Sequence, residues 1–247
     1  MKAKRIRTLS ALAMLSLVVL AACNSLHREP RTDPEPVAPN QVLDFATLYN
    51  QNCSACHGAE GRGGASIALA NPVYLAIVDE KAFHNAVANG VHGTSMPAFA
   101  QSAGGMLTEP QIGVITSGIF SRWGHKDVVD GSNPPPYVTK VAGNVDHGRL
   151  AFETYCASCH GPEGAGTHKG SSITNDSFLA LVSDQGLRTI VIAGRPELGA
   201  PDWRGNVPGH PMTDQEITDV VGWLASRRAQ NPGQPYSALN DAPHSEK

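Results

Sequence analysis

Cys53-Ser54-Ala55-Cys56-His57 and Cys156-Ala157-Ser158-Cys159-His160 are the two stretches on which the reading of this chain turns. Each is a Cys-x-x-Cys pair followed at once by histidine, the attachment signature of c-type haem. The spacing has a chemical reason. Two thiols add across the two vinyl groups of the porphyrin, and the adjoining histidine then sits under the iron and supplies a nitrogen ligand. Three other readings compete. The four thiols together could form a zinc site, but structural zinc sites have shorter loops than the roughly hundred residues between these pairs. A thioredoxin-like redox pair belongs beside a βαβ pattern, and none is visible. Structural disulfides suit an oxidising compartment. The occurrence of the full motif twice favours haem, which makes Cys53, Cys56, His57, Cys156, Cys159 and His160 the cofactor-binding residues of two covalent haems c.

Working outward, the two halves agree beyond the motif. Tyr49 and Phe152 both stand four residues before the first cysteine. His57-Gly58-Ala59-Glu60-Gly61 matches His160-Gly161-Pro162-Glu163-Gly164. Asn71-Pro72-Val73-Tyr74-Leu75-Ala76-Ile77-Val78 matches Asn175-Asp176-Ser177-Phe178-Leu179-Ala180-Leu181-Val182, and from there the alignment runs without a gap through Gly90/Gly194, Pro97/Pro201 and Phe99/Trp203. Leu107-Thr108-Glu109-Pro110-Gln111-Ile112 matches Met212-Thr213-Asp214-Gln215-Glu216-Ile217. Such self-similarity marks tandem copies of one unit, at 40–125 and 142–230, joined by a Pro-rich linker at 126–141 and followed by a tail at 231–247. The run Gly131-Ser132-Asn133-Pro134-Pro135-Pro136 makes that linker stiff.

The periodicity predicts an all-α fold. One helix precedes each motif, a second spans Val73–Val78, a third Ala82–Asn89 ending at Gly90, and the last begins at Thr108 or Thr213. Thr-x-x-Gln and Thr-x-x-Glu at those two places are capping boxes.

The N-terminus is a targeting segment at 1–22: basic residues Lys2 to Arg7, an apolar run Leu9 to Leu20, then small residues. Leu20-Ala21-Ala22-Cys23 resembles the bacterial lipobox, which implies lipidation at Cys23, a lipid anchor in a bacterial membrane and a periplasm-facing protein. Asn24, rather than Asp, after the cysteine points by the same analogy to the outer membrane. Residues 23–39 form a Pro-rich, charged tether that cannot build a core. The chain has 247 residues and a formal charge of −3. Its first 22 residues hold four basic and no acidic groups, so their removal leaves −7. An acidic surface argues against nucleic acid and leaves a basic protein partner open.

Both halves resemble class I cytochrome c domains over their whole length, through the haem motif, the aromatic before it, a Met-Pro loop and the closing Thr-x-x-Gln/Glu-Ile helix. The resemblance implies two tandem small helical domains, each wrapped around one covalent haem. It also implies His57 and Met96, in Thr94-Ser95-Met96-Pro97-Ala98-Phe99, as axial iron ligands of the first. In the second, His160 is the axial histidine, but Ala200 aligns with Met96 and cannot bind iron. Met212 is the leading candidate for the sixth ligand there, against a competing part as the apolar staple on Ile217. His210, His168 or an open site remain as alternatives.

Two functions follow. The first is a dihaem electron carrier that relays single electrons between membrane-associated respiratory partners, alone or as a subunit of a larger respiratory complex. The alternative is a dihaem redox enzyme or small-ligand sensor that uses an atypical or open second haem. No nucleophile, paired-carboxylate or nucleotide-binding pattern supports an enzyme, and no catalytic residue is assigned.

Overall fold

Each half of the chain approaches its cysteine pair along a helix and leaves it through a glycine. The computed structural model describes residues 37–230. The targeting segment, Cys23, the tether up to residue 36 and the tail 231–247 lie outside the described residues.

The first half holds α1 (Phe45–Asn52), α2 (Ser54–His57), α3 (Pro72–Ile77), α4 (Glu80–Asn89) and α5 (Glu109–Trp123); the second repeats them as α6 (Val145–Tyr155), α7 (Ala157–His160), α8 (Asp176–Leu181), α9 (Asp184–Ala193) and α10 (Asp214–Ser226). The described residues contain no β-strand, only isolated bridges at Ala100–Leu107 and Arg195–Ala200. The all-α expectation holds. Helix starts follow side-chain chemistry: Asp44, Asn71, Asp79, Asn144, Asn175 and Ser183 each place an oxygen on an otherwise unpaired first-turn amide. The Asp79 cap explains why α4 begins two residues before the predicted Ala82. Pro72, whose nitrogen has no proton to lose, starts α3 one residue early. Thr213 and Glu216 close a reciprocal capping box, with the Glu216 amide 3.2 Å from the Thr213 hydroxyl and the Thr213 amide 2.9 Å from the Glu216 carboxylate.

In both halves the first and last helices cross closely, and a glycine makes room. A Cβ on Gly118 would meet the Phe45 ring at 2.0 Å; one on Gly148 would meet the Asp219 carbonyl at 2.0 Å. The aromatic before each motif seals the crossing. Tyr49 meets Trp123 edge-on at 5.3 Å between ring centroids, and Phe152 stacks on Trp223 at 4.5 Å. Ile112, Ile115 and Ile119 from α5 and Ile217, Val220 and Leu224 from α10 complete the core.

The stretch expected as a spacer is docked at both ends. A 3₁₀ turn, Lys126–Val129, packs on α3. The Pro136 and Tyr137 carbonyls accept from Arg188 Nε at 3.1 and 3.2 Å, and Gln185 donates to Tyr137 at 2.8 Å. The Tyr137 ring lies 6.4 Å from that of Tyr74. α3 also packs on α9, so the described residues from 40 onward form one compact unit.

Candidate haem-binding sites

A short helical turn carries each motif. In the first, the His57 amide donates to the Cys53 carbonyl at 3.0 Å; in the second, that of His160 donates to Cys156 at 3.0 Å. The turn thereby sets the imidazole at a fixed place relative to the two thiols. All four thiols are free. Burial, reinforced by the neighbouring Cys56, pushes the Cys53 thiol up to about 11; burial and Cys159 push Cys156 up to about 12. Cys56 and Cys159 stand exposed.

The decisive detail is the partner of each imidazole. His57 Nδ1 lies 2.8 Å from the Ile67 carbonyl, and His160 Nδ1 lies 2.8 Å from that of Ser171. A carbonyl only accepts, so Nδ1 of a neutral ring carries the proton and Nε2 keeps its lone pair. Fixing the tautomer and ring plane through the other nitrogen is how proteins prepare a histidine for a metal. Burial lowers the pKa of His57, with the Ile67 carbonyl working against it, and so favours the neutral ring a metal needs. Two free thiols and one aimed imidazole, built twice, are the donor set that covalent haem requires, and the residues fit that group.

The loops that hold Met96 and Ala200 can be compared bond by bond. The Val91 amide donates to the Met96 carbonyl at 3.1 Å, and the Arg195 amide to the Ala200 carbonyl at 3.0 Å. Gly90 (φ 71°) and Gly194 (φ 68°) end the preceding helices where a Cβ would strike Met96 and Pro97, or Pro201, within 3.0 Å. Ala200 therefore occupies the place of Met96. Met212 occupies that of Leu107: its amide donates to the Trp203 carbonyl at 2.9 Å as that of Leu107 does to Phe99 at 2.8 Å. Met212 is 2 % exposed within the hydrophobic core, with Sδ 3.7 Å from Asn206 Nδ2. His210 and His168 are exposed.

Sequence reasoning missed Ile67 and Ser171, since a backbone acceptor leaves no mark on residue identity. It also missed Asn71. Its Oδ1 caps α3 at 3.0 Å from the Val73 amide, while its buried Nδ2 reaches the second half, 3.0 Å from the Ala193 carbonyl and 3.3 Å from that of Gly194. The helix-capping Asn before an apolar turn was the only available signal.

Residues 40–107 and 143–224 match the family model described as cytochrome c oxidase, cbb3-type, subunit III. Each matched segment holds one Cys-x-x-Cys-His motif. The chain is 30% identical over 141 residues to the cbb3-type cytochrome c oxidase subunit CcoP of Azospirillum sp. (strain B510), covering 51% of this chain and 43% of that protein. CcoP of Cereibacter sphaeroides is 26% identical over 208 residues, 75% of this chain and 62% of that protein. The chain thus spans less than two thirds of the length of these relatives. Among solved structures, a chain of the Kuenenia stuttgartiensis reducing HAO-like protein complex aligns with a TM-score of 0.44 at 16% identity, over 79% of this chain and 99% of that one.

Proposed function

This chain belongs to the family of cytochrome c oxidase, cbb3-type, subunit III, and from that premise we propose that it is a dihaem electron-transfer cytochrome serving membrane-associated respiratory partners. Covalent haem c is the cofactor of such a chain; when bound, it supplies an iron that takes up and releases one electron at a time. The observation that carries the reading is the imidazole aimed by a backbone carbonyl beside two free thiols, present in both halves.

Cys53 and Cys56 would hold one haem, with His57 and Met96 as the axial pair; Cys156, Cys159 and His160 would hold the other. Ile67 and Ser171 keep each histidine's lone pair pointed away from its own backbone. Met96 offers a thioether, a soft donor that favours the reduced iron. Asn71, Tyr137 and Arg188 keep the two halves in one arrangement, so a one-electron relay between them needs no large motion.

The CcoP relatives are named as subunits of a cbb3-type oxidase. That supports a place for this chain as an electron-transfer subunit of a respiratory complex. The anchor would be lipid on Cys23, facing the periplasm with outer-membrane attachment. Among the described residues no helix is long and apolar enough to cross a membrane.

The test is haem quantification by pyridine haemochrome with a redox titration of the membrane-derived protein. We expect about two haems c per chain and two one-electron steps. Cys156→Ser with Cys159→Ser leaves about one haem, and Cys23→Ser releases the protein from the membrane fraction. Absence of covalent haem from the wild type sinks the whole reading.

A further inference from the structure

The loop that delivers Met96 in the first half does different work in the second. Gly90–Phe99 is held by its own half: Val91 to Met96, the Thr94 hydroxyl 2.8 Å from the Val91 carbonyl, and the Met96 amide 3.2 Å from the Thr94 hydroxyl. Gly194–Trp203 keeps the Arg195–Ala200 bonds of its own half and is in addition bound to residues before it in the chain. Asn71 donates to Ala193 and Gly194 at its base. Arg195, paired with Glu197, lies 3.4 Å from the Gly64 carbonyl beyond the first haem motif. Arg204, paired with Asp202, donates to the Val128 carbonyl at 3.2 Å. The loop has become the contact surface between the halves, and Ala200 stands where the iron ligand stood.

We propose that the iron site built on His160 has no sixth ligand among the described residues and binds a small neutral diatomic ligand there instead. This rests on the haem reading above. Three rival donors, Met212, His210 and His168, each have a place in the structure that argues against them. Met212 is a core residue in the position of Leu107, in the same hydrophobic core as Ile217, whose exposure is 0 %. Its amide is tied to Trp203, and Trp203 is tied to Ile192 at 3.1 Å, so the whole segment is anchored to α9. His210 sits in a surface turn closed by its own amide on the Val207 carbonyl at 3.0 Å. His168 belongs to the turn Thr167–Gly170, which lies on the Nδ1 side of His160: a Cβ on Gly170 would be 3.1 Å from that nitrogen. An iron held through Nε2 would lie on the other side of the ring. Moving Met212 would break its amide's bond to the Trp203 carbonyl, and a buried backbone group left unpaired is costly.

The ligand class follows from the donor set. A histidine-ligated ferrous haem with a free position takes π-accepting diatomics such as carbon monoxide or nitric oxide, whereas one closed by histidine and methionine does not readily do so. The first half, with Met96 in place, serves as the internal control.

The probe is carbon monoxide, added to the reduced holoprotein and read by absorption and electron paramagnetic resonance, with haem counted separately. The wild type should bind about one carbon monoxide for every two haems and show a mixed high- and low-spin spectrum. Met212→Leu, the residue naturally found at position 107, should leave stoichiometry and spectrum unchanged. Ala200→Met places a tethered thioether where Met96 stands. As an intramolecular competitor it should weaken carbon monoxide binding at that site by about tenfold or more and raise the low-spin fraction. Two low-spin haems in the wild type with no carbon monoxide bound overturn the proposal, as does a Met212→Leu protein that gains carbon monoxide binding. Both outcomes would leave the dihaem reading intact. Fewer than two haems by pyridine haemochrome would instead sink the reading on which this one rests.

Discussion

His84 and Arg188 hold equivalent places on α4 and α9, and each faces the first residue of the last helix of its half. His84 Nε2 is 2.9 Å from Glu109, with side chains 25 % and 69 % exposed. Arg188 pairs with Asp214, at 3 % and 31 %. The first pair is a surface contact that salt screens and water competes with. The second is a buried fork that also holds the Thr218 hydroxyl at 3.0 Å and the Pro136 and Tyr137 carbonyls. The second contact thus serves as a clasp for the strap between the halves, and the first does not. The same divergence separates the two ligand loops.

Breaking the clasp should have a large effect. Arg188→Ala leaves the partly exposed Asp214 carboxylate and the Pro136 carbonyl without this donor, while Tyr137 keeps Gln185, and should cost about 1–3 kcal/mol. His84→Ala removes an exposed pair worth about 0–1 kcal/mol. The check is the unfolding midpoint of the two holoproteins in urea, with limited proteolysis at residues 130–140. Similar shifts for both variants would mean that the strap is not held through Arg188.

Asn71 and Asn175 sharpen the comparison at similar size. Both cap a helix, and loss of either cap costs about 1 kcal/mol. Only Asn71 also donates across to the second half, from a position 3 % exposed. Asn71→Ala should therefore cost about 1–3 kcal/mol more than Asn175→Ala, through the carbonyls it strands. It should also speed hydrogen exchange at the Arg195 and Trp203 amides, which close the second loop. Asn71→Asp separates the two parts, since it keeps the capping oxygen and loses the donor. If exchange at those amides stays slow in Asn71→Asp, the contact between halves does not depend on Asn71.

These contrasts mark the limit of what residue identity carries. The haem motifs, helical class, tandem repeat and both capping boxes are visible because each depends on short-range spacing that chemistry constrains. The substitution of Ala200 for Met96 is equally visible once the halves are aligned. What Met212 does is not, because a methionine before a capping threonine can pack or ligate; its burial and its place opposite Leu107 favour packing. The linker misleads for a related reason. A run of prolines reads as a spacer, and nothing in Pro134-Pro135-Pro136-Tyr137 announces an arginine fifty-odd positions later that donates to its carbonyls. Contacts between backbone atoms and distant side chains leave no local periodicity to detect.

The smallest expected difference lies at the third position of the two last helices, Gln111 in one half and Glu216 in the other. Burial alone would raise the Glu216 pKa. The Thr213 amide and hydroxyl and the Tyr155 hydroxyl more than offset it, and hold the carboxyl below its ordinary 4.5. A carboxyl lowered in the folded state stabilises above its unfolded pKa and loses that contribution as pH falls through the folded value. The second half should therefore lose stability as pH falls below about 4.5, a loss that Gln111 cannot give the first. Glu216→Gln should flatten this part of the stability profile at a neutral-pH cost under about 1 kcal/mol, because an amide oxygen can still accept from Thr213. Gln111→Glu should introduce a similar slope in the first half. Unfolding midpoints measured for the three proteins from about pH 6 down to pH 3 decide it. An unchanged slope in Glu216→Gln would place the acid sensitivity on other carboxylates and reduce the two capping boxes to equivalents.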